Sequence, residues 1–247
     1  MMYRLEQLLT YGIPPWLKRF CKQAGKGINQ FGMIGDKDRI LLGISGGKDS
    51  MAMALALSLR KQWLPINYQL HAAIIEWKEY PFPDKTREAF EHFFDLLGIP
   101  TTILQARMFS HSFEGEFNCY LCSRNRKRIL FDEADRQNIS KVALGHHLDD
   151  IVETTLINMC LRGKLDTMQP YQEFFDGKLA IIRPLCEVRE STIENVISRV
   201  ELPRFVVPCP LKDTNVRSKM KPIVGELSSL NRYAREHIFR AYWNREE

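Results

Sequence analysis

Apolar and polar positions fall in alternating blocks along the chain, and the period changes from block to block. From Pro14 to Phe31, Trp16, Phe20, Ala24 and Ile28 recur at helical spacing behind a Pro14-Pro15 start. Ile40 to Ile44 is a continuous apolar run, the pattern of a parallel strand covered on both faces. Met51 to Arg60 is mostly apolar and built of good helix formers. Tyr68–Ile75 predicts a second strand, with Glu76 to Pro83 as a loop past its end. The next helix has Asp84 as a candidate cap, an aromatic stripe of Phe90, Phe93, Phe94 and Leu97, and a stop at Gly98. Thr101–Leu104 is a third strand, and a helix runs from the Cys119 region through Asp135. Lys141–Gly145 is a fourth strand. The helix after it places Leu148, Ile151, Val152, Leu156 and Met159 on one face. Leu179–Ile182 is a fifth strand, Glu190–Val200 a helix, and the C-terminal stretch from about Pro222 is helical. Strands alternating with helices predict an α/β fold, a parallel sheet flanked by helices.

Composition changes this picture little. The chain has 247 residues, 45% hydrophobic and 26% charged, as in a globular protein. No apolar run approaches the ~20 residues of a membrane helix, and the first ten residues lack the basic start and apolar core of a secretory signal. A cytoplasmic protein with no membrane partner is expected. The net charge of +5 is modest, but its distribution is uneven. Arg124, Arg126, Lys127 and Arg128 form one basic cluster. A second, from Arg204 to Arg245, contains Arg217, Lys219 and Lys221. Each reads as a solvated helix face or as a patch for a nucleic-acid backbone.

The first chemistry lies at Ser45-Gly46-Gly47-Lys48-Asp49-Ser50, between a predicted strand and a predicted helix. Backbone N–H groups and the positive end of a helix dipole converge on an anion there, and the two glycines admit close approach of phosphate. It is not a Walker A loop, since Leu42 and Asp49 occupy the places that need Gly and Ser or Thr. An Asp beside phosphates needs a metal ion or a ligand N–H as partner.

Gly145-His146-His147-Leu148-Asp149-Asp150 follows the fourth strand, on the same carboxyl edge as the glycine loop if the sheet is parallel. Adjacent carboxylates at a helix start favour the dipole and can cap it. Near a triphosphate, one of them is the expected ligand for Mg²⁺.

Of six cysteines, Cys119 and Cys122 form a two-residue-spaced pair. Alone, that spacing fits a redox pair, half a zinc site or chance. Cys209, between Pro208 and Pro210, is a candidate third ligand, with Lys212 where a fourth cysteine would fall. Three thiolates without a fourth suggest an iron–sulfur cluster with one open iron. Cys160 and Cys186 read as ordinary buried cysteines.

The glycine loop resembles the pyrophosphate loop of the PP-loop ATPases, the N-type ATP pyrophosphatases. Gly145-His-His-Leu-Asp-Asp150, with Glu153, Thr154 and Asn158, resembles the GHHxDDxxET signature of the tRNA-modifying members. Arg162-Gly163-Lys164, Met168 and Pro170, with Cys119-Tyr-Leu-Cys122-Ser-Arg124 and Pro208-Cys209, are similar to the tRNA 2-thiocytidine synthetase (TtcA) family. The resemblance covers about Gly27 to Val216. It implies a PP-loop, adenine nucleotide alpha-hydrolase-like domain over 36–215, a helical extension at 1–35 and a basic helical tail at 216–247.

The implied ATP site is Ser45 to Ser50 with Gly145, His146, Asp149 and Asp150, and Asp149 or Asp150 as Mg²⁺ ligand. The implied catalytic set is Lys48, Asp49 and the [4Fe–4S] ligands Cys119, Cys122 and Cys209. The two basic clusters are the expected tRNA contacts. The implied reaction is ATP-dependent replacement of a cytidine C2 oxygen in tRNA by sulfur, supplied by a donor such as a cysteine desulfurase. A homodimer is compatible with it. Two alternatives stay open at this point. One is a PP-loop tRNA-modifying enzyme of lysidine-synthetase type or another thiolase or desulfidase of the same build; the other is a nucleotide-binding redox sensor without catalysis. Glu76, where relatives often have Asp, and Lys212 are the departures from the family pattern.

Overall fold

The computed structural model describes residues 3–108, 119–205, 207 and 216–244, and of Cys119 the backbone alone. In chain order the elements are α1 (Leu5–Tyr11), α2 (Pro15–Gln30), β1 (Arg39–Ile44), α3 (Lys48–Arg60), β2 (Gln69–Trp77), α4 (Asp84–Leu96), β3 (Thr101–Ala106) and α5 (Cys119–Arg136). They continue with β4 (Lys141–Leu144), α6 (Leu148–Arg162), β5 (Tyr171–Phe174), β6 (Leu179–Ile182), α7 (Glu190–Ile197), α8 (Val216–Leu230) and α9 (Ala234–Trp243).

The strands form a sheet in the order β3-β2-β1-β4-β6-β5. Every pairing is parallel except β5 with β6. The predicted parallel α/β sheet is therefore present, with one antiparallel edge strand that the sequence reading passed over. Its short Tyr171–Phe174 run alternates too weakly to stand out, and it gains definition from pairing with β6. The order reverses between β1 and β4. Chains leaving those two strands run to opposite sides, which opens a crevice at their carboxyl ends where ligands bind in such sheets.

Successive β1 residues serve two cores. Ile40, Leu42 and Ile44 pack with α2, α3 and α6 on one face, while Leu41 packs with Trp77, Leu130 and Val142 under α5. Burial on both faces is why this strand reads as an unbroken apolar run. α3 is buried almost all round, from Ser50 through Leu57, which explains its lack of a polar face. The larger core also takes in Leu5 and Leu8 of α1, Met220 and Val224 of α8 and Phe239 of α9. The terminal helices thus share a core with the sheet.

Several local expectations need correction. β2 runs on through Glu76 and Trp77, because both residues pair with β3. α4 is preceded by Pro83 at the cap position, and Asp84 sits inside its first turn. α8 starts at Val216 and carries Pro222 inside it. Met159 and Cys160 lie on the exposed side of α6, whose buried side is Leu148, Ile151, Val152 and Thr155. α1 falls inside the helical extension expected at 1–35, where the sequence pattern places only the helix from Pro14 to Phe31. Among the described residues no helix is long and apolar enough to cross a membrane.

Candidate functional site

The glycine loop lies where β1 hands over to α3, at the crevice. Gly47 is the N-cap of α3, so the first N–H groups of that helix have no intrahelical acceptor and point into the crevice mouth. The loop is stiffened from within. Ser50 Oγ donates to Gly47 O (2.9 Å), Gly47 N–H donates to Ser45 Oγ (3.3 Å) and Ser45 N–H donates to Ser50 Oγ (3.3 Å). Gly46 has φ of +78° and its carbonyl accepts from Phe205 N–H (2.9 Å). A side chain there would meet the Phe205 carbonyl at 2.9 Å, so glycine is required twice over.

β4 delivers the second half. A Cβ on Gly145 would lie 2.8–2.9 Å from the backbone of Asp49 and Ser50, so only glycine lets the two turns touch. His147 is the N-cap of α6. Its Nδ1 accepts from Asp150 N–H (3.4 Å), and Asp150 Oδ2 accepts from His147 N–H (3.1 Å). Asp150 thus works as one half of a capping box, and the cap itself is a histidine.

Asp149 and Asp150 have different surroundings. Asp149, buried, accepts from Arg235 Nε (2.5 Å) and from Glu190 N–H (2.7 Å), and it does not line the crevice. Asp150 lines it and accepts from Arg217 (3.0 Å). Burial pushes the Asp150 carboxyl up, but His147, His146 and Arg217 outweigh it and hold it below the usual carboxylate range. Glu153, one turn on, lies 3.5 Å from Arg217, yet burial dominates and pushes it up to about 7. His146 is pushed down to about 3, by burial and then by Arg183, whose Nε donates to His146 Nδ1 (3.3 Å). A neutral imidazole that accepts at Nδ1 is a fixed polar wall of the site, not a proton carrier near neutral pH.

Lys48 Nζ donates to Asp49 and to Glu190 Oε1, both at 2.9 Å. Lys221 Nζ reaches Glu190 Oε2 at 2.7 Å. Burial raises the Glu190 carboxyl, but the bonds from Lys221 and Lys48 prevail and hold it at about 2. α8 and α9 therefore bring Arg217, Lys221 and Arg235 onto carboxylates at the lip of the crevice. Arg217 and Lys221 were expected to face nucleic acid; their charges are instead matched to Asp150, Glu153 and Glu190, while Lys219 is exposed.

Together these elements enclose a cleft of about 570 Å³. Ser45, Asp49, Ser50, Gly145, His146 and Asp150 line it from the two turns, and Cys122, Ser123, Arg126 and Lys127 line it from α5. On α5, Arg126 and Lys127 turn into the cleft while Arg124 and Arg128 are exposed. Cys119 begins α5, one turn before Cys122. Cys209 and Lys212 lie outside the described residues, but the chain approaching Cys209 is seen at two points. Phe205 bonds to Gly46, and Val207 packs on the same apolar patch as Cys122. Glu76 is committed elsewhere: buried at the end of β2, it accepts from Phe82 N–H, Arg87 and Gln105. Among the described residues no three His, Cys, Asp or Glu side chains form a ready-made cation site.

Arg183, Glu190 and Arg235 are residues of the site that the sequence reading did not single out. Arg183 and Glu190 flank the loop after β6, another carboxyl end at the same edge, which is the one signal that pointed to them.

A parallel sheet with a glycine loop at its switch point and an acidic helix start beside it defines a nucleotide-binding α/β protein of the PP-loop class. A family model described as a PP-loop domain matches residues 18–220. Over 231 residues the chain is 36% identical to a tRNA-cytidine(32) 2-sulfurtransferase of Polynucleobacter asymbioticus, covering 91% of this chain and 75% of that one. It is 36% identical over 230 residues to the protein of the same name in Burkholderia multivorans, covering 90% and 68%. The chain belongs to the PP-loop family and, within it, to the tRNA-cytidine(32) 2-sulfurtransferases. Its fold is also that of the U34-tRNA thiolase NcsA of Methanococcus maripaludis, solved with its [4Fe–4S] cluster, with a TM-score of 0.76 at 21% identity over 92% of this chain and 77% of that one.

Proposed function

We propose that this protein is an ATP-dependent tRNA sulfurtransferase that converts a cytidine of tRNA to 2-thiocytidine. The observation that carries this reading is the shared cleft: Cys122 and the phosphate loop line one cavity.

ATP lies over Ser45 to Ser50, its phosphates on the loop N–H groups and Lys48. Asp150 and Asp49, the two carboxylates that line the cleft, would hold Mg²⁺ beside the triphosphate, where it would offset phosphate charge. The cytidine C2 oxygen attacks the α-phosphorus, and pyrophosphate leaves onto Lys48 and the α3 N-terminus, which offset its growing charge. A sulfide sulfur then adds at C2, the C2–O bond breaks, and AMP leaves with the oxygen. The physical purpose of the first step is to turn a poor leaving oxygen into a phosphate ester. Cys119, Cys122 and Cys209 would hold a [4Fe–4S] cluster. When bound, it supplies an open iron for the incoming sulfide. The residues present fit such a group: Cys122 is half-buried on the cleft wall, one helical turn after Cys119 on α5. Sulfur comes from a donor system such as a cysteine desulfurase, and the protein works in the cytoplasm.

Iron and acid-labile sulfide in anaerobically purified protein test this. About four of each per chain are expected, and loss of both is expected when Cys119, Cys122 and Cys209 are all changed to Ser. Zinc instead, or no metal under strict anaerobiosis, overturns the sulfur-transfer reading.

A further inference from the structure

The cleft contains more positive charge than a single triphosphate on the glycine loop calls for. Three cations line it away from that loop: Arg126 and Lys127 from α5, and Arg183 just past β6. Among the described residues none of the three has a carboxylate within ion-pair distance. Arg126 Nε is buried without a hydrogen-bond partner, and its guanidinium lies 5.6 Å from the Trp77 ring centroid. Lys127 Nζ lies 5.4 Å from the Phe174 ring centroid. Arg183, itself buried, donates to His146 Nδ1 and to Gln169 O, both neutral acceptors. Asp150, which also lines the cleft, is already matched by Arg217 and His147 N–H.

Like charges gathered and partly desolvated without counter-charge are costly. Burial and mutual repulsion both show: Lys127 is lowered by burial and by Arg183, and burial brings Arg183 down to about 10. The aromatic faces of Trp77 and Phe174 hold two of the three in place before anything binds, a preorganised arrangement.

We propose that Arg126, Lys127 and Arg183 form a second anion subsite, distinct from the phosphate loop, which takes a backbone phosphate next to the acceptor cytidine. This rests on the sulfurtransferase reading and adds to it the way RNA enters. Cytosine is neutral, so the cations have nothing to recognise on the base itself. A base turned out of its strand into the cleft carries its flanking phosphates in with it. A phosphate held on this wall sets the depth of the base and points C2 toward the loop wall, so the subsite supplies register, not sequence choice. Arg124 and Arg128, exposed on the same helix, continue the track outside the cleft.

The test uses the full chain without added sulfide and measures affinities, not turnover. Lys127→Gln and Arg126→Gln are compared with wild type for three quantities: Kd for unmodified tRNA at several salt concentrations, Kd for ATP, and iron per chain. Both residues are half-buried, so circular dichroism verifies folding. The expected result is a tRNA Kd raised about tenfold by each, a log–log salt slope smaller by about 1, and unchanged ATP affinity and iron content. An RNA hairpin with a neutral methylphosphonate beside the acceptor cytidine should bind wild type about tenfold more weakly and lose nothing further with Lys127→Gln. A loss confined to ATP affinity would assign the three cations to the triphosphate, and a loss confined to iron would assign them to thiolate charge; either overturns the subsite. So does equal tRNA affinity in a wild type and variants that all bind tRNA. A wild type that binds ATP but no tRNA overturns the sulfurtransferase reading itself.

Discussion

Lys48 Nζ and Glu190 Oε1 stand 2.9 Å apart, linking the glycine loop to the first residue of α7 across 142 positions of sequence. The pair fixes where the loop lysine points before any nucleotide arrives. It also means that an incoming triphosphate must take Lys48 from Glu190, which remains bonded to Lys221. Glu190→Gln is therefore expected to tighten ATP binding by a few-fold, since the ion pair to be broken is worth about 1 kcal/mol at this partly buried position. Lys48→Met is expected to weaken it at least tenfold, the scale of a lost charge-assisted hydrogen bond. Calorimetric titration with ATP reads both. A weaker Kd for Glu190→Gln would make the carboxylate part of the ATP seat.

Gly145 presses on the backbone of Asp49 and Ser50. Because the neighbours are backbone and not flexible side-chain ends, Gly145→Ala should cost about 1–3 kcal/mol of stability and displace the loop. Thermal unfolding and ATP affinity should both fall. A variant with wild-type values in both would show that the two turns separate freely.

Asp149 joins α6 to α9 through Arg235 and to α7 through Glu190 N–H. Asp149→Ala leaves Arg235 without its carboxylate, a loss of about 3 kcal/mol. At ~2–4 °C per kcal/mol for a chain of this size, the melting temperature should drop by roughly 10 °C. Asp150→Asn should behave differently, impairing Mg²⁺-dependent ATP binding more than stability.

Glu153 carries a pH signature. Its carboxyl is raised to about 7 in the fold by burial, against ~4.3 when unfolded. Between those values the native state binds more protons than the unfolded one, so stability falls as pH rises through the window. Glu153→Gln removes this dependence. The variant should gain on wild type from pH 5 to about pH 7 in thermal unfolding and then level off, and parallel curves would show that Glu153 ionises normally.

The two chemical stretches were legible because each is local: the loop at Ser45 to Ser50 and the turn at Gly145 to Asp150 announce their geometry through glycines and helix-start carboxylates. Their meeting follows from one topological fact, that β1 and β4 are neighbours. What sequence could not carry is pairing across long separations. Asp149 and Asp150 look equivalent in the chain and become different only when Arg235 and Arg217 arrive from α9 and α8. Arg217 and Lys221 read as surface charge because their carboxylate partners are 64 to 67 or 31 positions away. The Tyr171–Phe174 edge strand was missed for the same reason, its definition coming from β6 and not from its own pattern.

The central claim is that the phosphate loop activates a cytidine in tRNA for sulfur. The direct measurement is to incubate anaerobically purified protein with unmodified tRNA, Mg²⁺-ATP and sulfide, then quantify nucleotides and digested nucleosides together. The account predicts AMP and 2-thiocytidine in equal amounts, both absent with Lys48→Met and both requiring tRNA. ADP as the nucleotide product, or AMP formed with no thiolated cytidine, would contradict it.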